Sequence, residues 1–154
     1  PYVEFDVPVG TADGIARFYS EVIKAPSSVE KDPQGACARV QVGTKQFLFF
    51  RETDRPLPAY DGHHIAIYIA DFSGPYRWLK ERSLITLERG QYEWRFIDIV
   101  DPDTLKPLYR LEHEVRSVTN PLYARIPVLV NRNPDQTNNN YLPGYDAMKP
   151  ELGY

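Results

Sequence analysis

The stretch Gly62-His63-His64-Ile65-Ala66-Ile67-Tyr68-Ile69-Ala70-Asp71 alternates strictly from residue 64 onward. His64, Ala66, Tyr68 and Ala70 point to one side, and Ile65, Ile67 and Ile69 point to the other. A period of two belongs to a half-buried β-strand. The three isoleucines must pack beneath a helix, so His64 and Tyr68 look the other way, into a cleft. Asp71 can cap a following helix, predicted over 72–84, whose apolar positions are Phe72, Tyr76, Leu79 and Leu84 with Trp78 beside them. Residues 85–89 read as a weak strand and 93–100 (EWRFIDIV) as a strong one. Asp101-Pro102-Asp103 turns the chain, and 107–116 (PLYRLEHEVR) form a last strand.

The segment before Gly62 has the same order. Residues 2–9 alternate, with Val3, Phe5 and Val7 expected to pack and Glu4 and Asp6 facing in. Gly10-Thr11 opens a helix predicted over 12–24, with Thr11 as its N-cap and Ile15, Phe18, Tyr19, Val22 and Ile23 at helical spacing; Pro26 closes it. A short strand at 27–32, a turn at Asp32-Pro33-Gln34-Gly35, and strands at 36–43 and 45–52 follow. Residues 53–62, with Pro56, Pro58 and Gly62, form a loop. The order strand, helix, three strands therefore occurs twice, about 60 residues apart, and repetition of a supersecondary unit is strong evidence about fold. The expectation is an α+β domain over 1–117, built of modules 1–60 and 61–117, with curled mixed sheets around a cleft and helices outside. Residues 118–154 carry Pro121, Pro127, Pro134, Pro143 and Pro150, a run of asparagines at 138–140, and scattered apolar residues including Leu122, Tyr123, Ile126, Val128, Leu129 and Tyr141. These predict an extended arm pressed on protein surface and helping to hold a homodimer.

Apolar residues make up 42% of the 154, charged residues 25%, and the net charge is −3. This suits a folded domain and gives no reason to expect nucleic acid or an anionic membrane as partner. No apolar run is long enough to span a bilayer and no signal peptide is visible, so a cytoplasmic location is expected. Pro1 opens the sequence and Met148 is its only methionine, so the natural start is expected upstream. Cys37 is the single cysteine; it excludes an intrachain disulfide and a multi-cysteine metal site, and is expected to fill space in a strand.

Three segments, in order, resemble the vicinal oxygen chelate superfamily of glyoxalases, bleomycin-resistance proteins and extradiol dioxygenases. They are residues 9–19, ending in Arg17-Phe18-Tyr19; residues 62–71; and Phe96-Ile97-Asp98-Ile99-Val100-Asp101-Pro102-Asp103. Together they span roughly residues 2–116. The resemblance implies a divalent ion (Fe²⁺, Mn²⁺, Zn²⁺ or Ni²⁺) held by side chains on the first, fifth and eighth strands. The matching positions are Glu4 where members usually have histidine, His64, and Leu108 where they have glutamate. Glu112, four residues on and on the same strand face, would replace that glutamate after a local insertion near 104–107. The fourth-strand positions, Leu48 and Phe50, cannot bind metal.

Two readings of the chemistry follow. In one, Glu4, His64 and Glu112 hold a metal that polarises two adjacent oxygens of a small substrate, with Glu4 or Glu112 moving a proton, in a lyase, isomerase or dioxygenase. In the other, the same residues form a metal-free network in which Glu4 pairs with Arg110 and His64 donates to a carboxylate. The protein would then bind a small aromatic or drug-like molecule, as bleomycin-resistance proteins do. Tyr68 and Arg110 are expected at the cleft wall. Arg39 is a candidate for a carboxylate substrate, or else a member of a surface salt bridge. His63 is expected near solvent at a strand end. His113, Trp94, Phe96 and Tyr109 are expected to pack.

Overall fold

Two four-stranded sheets share one topology. The computed structural model describes residues 1–120, Tyr123, and the short strands Pro127–Val128 and Glu151–Leu152. In the first sheet, β1 (Tyr2–Pro8), β2 (Ser27–Asp32), β3 (Gly35–Gly43) and β4 (Gln46–Thr53) lie in the order β1-β4-β3-β2. In the second, β5 (His64–Ile69), β6 (Ile85–Arg89), β7 (Glu93–Val100) and β8 (Pro107–Ser117) lie in the order β5-β8-β7-β6. The outer pairs β1–β4 and β5–β8 are parallel, and the remaining pairs are antiparallel. Each first strand is followed by a helix, because two parallel strands need a long crossover between them. This is the repeated βαβββ unit of an α+β fold that the alternation and spacing predict.

The helices differ from expectation in detail. α1 (Ala12–Arg17) does not run to residue 24 as an α-helix; Phe18–Ile23 continue as a π-helical turn that ends at Lys24, with φ of 66°. The wider turn leaves Phe18, Tyr19, Val22 and Ile23 all buried. Thr11 does not cap α1: its hydroxyl donates to the Pro8 carbonyl at 2.6 Å, and the Glu52 carboxylate accepts the Ala12 N–H instead, at 2.8 Å. α2 (Ser73–Glu81) stops short of Leu84, because Ser83 takes a φ of 57° and turns the chain. The Asp71 carboxylate does act at its start, accepting the Gly74 N–H at 3.0 Å.

Two of the three sequence segments that carry the family resemblance, residues 9–19 and 96–103, meet at the seam between the two modules. Arg17 reaches from α1 to Asp101 and Asp103 in the β7–β8 turn, 2.5 Å from each. Asp101 also accepts the N–H groups of Asp103 and Thr104, both at 3.0 Å, which closes that turn. Phe18 packs against Trp78 and Phe96, and the Tyr19 hydroxyl lies 2.5 Å from Nε2 of His113. Gly14 passes so near β8 that a Cβ there would stand 2.6 Å from a methyl of Leu108. These motifs therefore serve packing and module docking.

His113, Trp94, Phe96 and Cys37 are buried as expected, and Tyr109 is partly buried against the core. Val3, expected to pack with Phe5 and Val7, is 49% exposed; β1 buries only its later half, with Val7 fully inside. No helix among the described residues is long and apolar enough to cross a membrane. The chain divides into two units, Pro1–Asn120 and Pro121–Tyr154. In the second, Pro127–Val128 and Glu151–Leu152 pair as antiparallel strands. The expected packing of the arm through Leu122, Ile126, Leu129 and Tyr141 lies outside the described residues.

Candidate functional site

Alternation gives each sheet a buried apolar face under its helix and an opposite face that carries its charged residues, and strand register decides which of them meet. On the first sheet, Glu4 and Arg39 both stand beside Phe49, and Asp6 stands beside Arg51. Glu4 pairs with Arg51 at 3.4 Å, not with Arg110, because Arg51 lies on the neighbouring β4. Arg51 also holds Asp32 at 3.0 Å. Arg39 makes no salt bridge among the described residues; its guanidinium carbon sits 4.0 Å from the Phe47 ring centroid, a cation–π contact.

On the second sheet, His64 is the direct cross-strand neighbour of Glu112, Ala66 of Glu114, and Tyr68 of Arg116. Arg95 faces them from β7. It binds Glu112 at 2.9 Å and Glu93 at 3.0 Å, and contacts Glu114 as well. Arg116 adds a contact to Glu114 and donates to the Tyr68 hydroxyl at 3.2 Å. The Glu112 hydrogen bond raises the pKa of Arg95 further, against the opposing effect of burial. His64 itself is exposed.

Of the sequence-predicted residues, the structure thus brings His64, Glu112 and Tyr68 to one sheet face, and places Glu4 and Arg39 on the other sheet. No three histidine, cysteine, aspartate or glutamate side chains among the described residues are placed to share a metal ion. Both carboxylates of the implied set are engaged by arginine, so the side chains as placed do not fit a metal. Arg95→Met is expected to cost about 2 kcal/mol, because three carboxylates lose a shared partner while Glu114 stays buried. Urea denaturation midpoints at neutral pH check this. An unchanged midpoint at neutral pH would mean that Arg95 contributes no net binding.

A cavity of about 540 Å³ opens beside this face, between the end of β1, residues 57–63 and the start of β8. Its walls include Leu57, Leu108 and Tyr109, and its polar groups are Asp6, Tyr60, Asp61, His63 and Arg110. Tyr60 joins the cavity to the polar face: the Arg110 guanidinium lies 5.3 Å from its ring centroid, and Glu112 is among the groups acting on its hydroxyl, whose pKa is raised chiefly by burial. Arg110 also pairs with Asp98 at 3.4 Å, and Asp6 with Arg55 at 3.2 Å. Leu108, at the position where the resemblance implies a metal-binding glutamate, is an apolar wall of the cavity.

Sequence reasoning missed Arg95, and it places His63 near solvent, where it is, without its partner Asp61. Applying alternation to residues 93–97 finds Arg95: if Trp94 and Phe96 pack, Glu93 and Arg95 must share the face of Glu112. The signal for His63 is local, an aspartate two residues earlier with a glycine between them.

The sequence matches no family model and no curated protein. Among solved structures, 75% of the chain aligns with 95% of a possible glyoxalase from Bacillus cereus, at 14% identity and a TM-score of 0.51. The same share aligns with 88% of the fosfomycin resistance protein FosX from Mesorhizobium loti, at 16% identity and a TM-score of 0.50. It also aligns with 87% of FosX from Listeria monocytogenes, at 15% identity and a TM-score of 0.50. The chain has the vicinal oxygen chelate fold, as its three sequence segments imply. At these identities the likeness is one of fold.

Proposed function

We propose that this chain is a metal-free binding protein for small aromatic molecules, with the cavity between β1, residues 57–63 and β8 as its ligand site. The observation that carries the reading is that arginine already satisfies both carboxylates of the implied metal set: Arg95 holds Glu112 and Arg51 holds Glu4. Leu108 supports it, since an apolar wall stands at the family's glutamate position. The cavity's size is also that of small-molecule sites, roughly 300–1,000 Å³. Aromatic and aliphatic walls bind a flat apolar ligand, and the few polar groups orient it. A homodimer belongs to the same proposal, supported by the exposed apolar residues Tyr2, Val3 and Val9 at the ends of β1.

The second reading, a metal-dependent lyase, isomerase or dioxygenase acting on a small oxygenated substrate, draws on the pairing of exposed His64 with Glu112. Elemental analysis before and after chelation separates the two. The expected result is substoichiometric metal and para-nitroanisole binding that survives chelation, with light scattering on the same samples reading the mass of a dimer. Stoichiometric metal whose removal abolishes binding would overturn the proposal.

A further inference from the structure

His63 lines the cavity in an arrangement that aromatic binding alone does not use. Its Nδ1 lies 2.6 Å from Oδ1 of Asp61, and the same oxygen accepts the His63 backbone N–H at 3.0 Å. A carboxylate only accepts, so Nδ1 carries the proton and Nε2 presents its lone pair. Among the described residues Nε2 has no hydrogen-bond partner. The Asp61 carboxyl is held below its usual range, first by the bond from the His63 side chain and then by the backbone N–H, so it stays ionised.

Surrounding residues fix the imidazole. Gly62, between the two residues, has a φ of 90°, and a Cβ there would meet nothing within 4 Å; the backbone conformation is what calls for glycine. The Tyr60 hydroxyl donates to the His63 carbonyl at 2.9 Å, and the Tyr60 ring lies 5.1 Å from the imidazole. Phe5 stacks on the imidazole at 6.2 Å. The ring therefore lies against two aromatics, with one nitrogen anchored on a carboxylate.

We propose that Asp61 and His63 form a proton-accepting dyad that makes the cavity selective for aromatic ligands bearing an acidic hydroxyl, such as phenols acidified by an electron-withdrawing substituent. The proposal rests on the aromatic-binding reading of the same cavity. In the complex the ligand O–H bond breaks and its proton passes to Nε2. The products are an imidazolium paired with Asp61 and a phenolate that also faces the positive Arg110. No electrons are exchanged with a third reactant, and the proton returns to the oxygen when the ligand leaves.

The test compares para-nitrophenol with para-nitroanisole, which has a similar shape and no proton to give. Binding is followed calorimetrically, and by the visible phenolate band, in the wild-type protein, His63→Gln and Asp61→Asn. The wild type is expected to prefer the phenol by about 10-fold, the worth of one charge-assisted hydrogen bond. It should also show the phenolate band below the pH at which the free phenol ionises. His63→Gln should reduce the preference for the phenol over para-nitroanisole to within about twofold. Asp61→Asn should lose the band, because nothing then stabilises the imidazolium. Equal wild-type affinity for both compounds, or a preference that survives His63→Gln, overturns the dyad and leaves the aromatic cavity standing. Failure of both compounds to bind the wild type overturns the cavity reading and the dyad with it.

Discussion

Phe18→Ala is expected to lower stability by about 4 kcal/mol, the largest effect of any single truncation proposed for this chain. The side chain is fully buried. It comes from the first module and meets Trp78 of α2, edge to face at 6.2 Å, and Phe96 of β7 at 5.7 Å. Removing it takes away a ring that both modules share, and the rigid aromatics around it cannot close the hole. The cost therefore combines lost transfer energy with an unfilled cavity. Urea unfolding monitored by tryptophan fluorescence is the measurement, since Trp78 and Trp94 both belong to the second module. A loss under about 1 kcal/mol would mean that the seam relaxes and that the modules are not coupled through Phe18. A second transition appearing in the variant would show the modules separating into independent units.

That seam also explains how much of the molecule was legible in the sequence. The alternation of 64–70 and of 2–9, and the recurrence of strand, helix, three strands, are backbone-period signals, and the sheets follow them. The face of each residue followed as well: Glu112 and Glu114 do share a side with His64. What alternation could not supply was which neighbour each charge would choose. One of the two sequence readings pairs Glu4 with Arg110, but β1 lies against β4, and the parallel register there delivers Arg51. Val3 alternates properly and is still exposed, because alternation tells a strand's sides apart and not how far along its length the core extends. The π turn at Phe18–Ile23 is likewise set by tertiary packing, since its residues sit at ordinary helical spacing. His63 is exposed, as its place at a strand end implies; its partner Asp61 and the cavity wall lie in a loop where no periodicity exists.

The buried Tyr19–His113 pair should make stability fall in mild acid. His113 is fully buried, stacked on Phe96 at 4.2 Å. Nδ1 lies 2.6 Å from the Leu111 carbonyl and so donates to it, which leaves Nε2 to accept from the Tyr19 hydroxyl. Burial lowers the His113 pKa from 6.5 to about 4, against the opposing bond to Leu111, and burial raises that of Tyr19. The unfolded chain therefore binds a proton at His113 between about pH 6.5 and 4 while the folded chain does not. The pair's contribution is fully present above pH 6.5 and declines as the pH falls through that window, by about 3 kcal/mol in all. Acid acts on carboxylates throughout the chain as well, so the wild type alone cannot isolate the histidine. His113→Gln keeps those carboxylates and removes the titrating ring. Urea unfolding of both proteins at pH 7, 6, 5 and 4 should show the wild type losing about 3 kcal/mol more than the variant across the range. Parallel curves would mean that His113 is protonated in the folded state, and that the hydrogen bond from Tyr19 is not made as described.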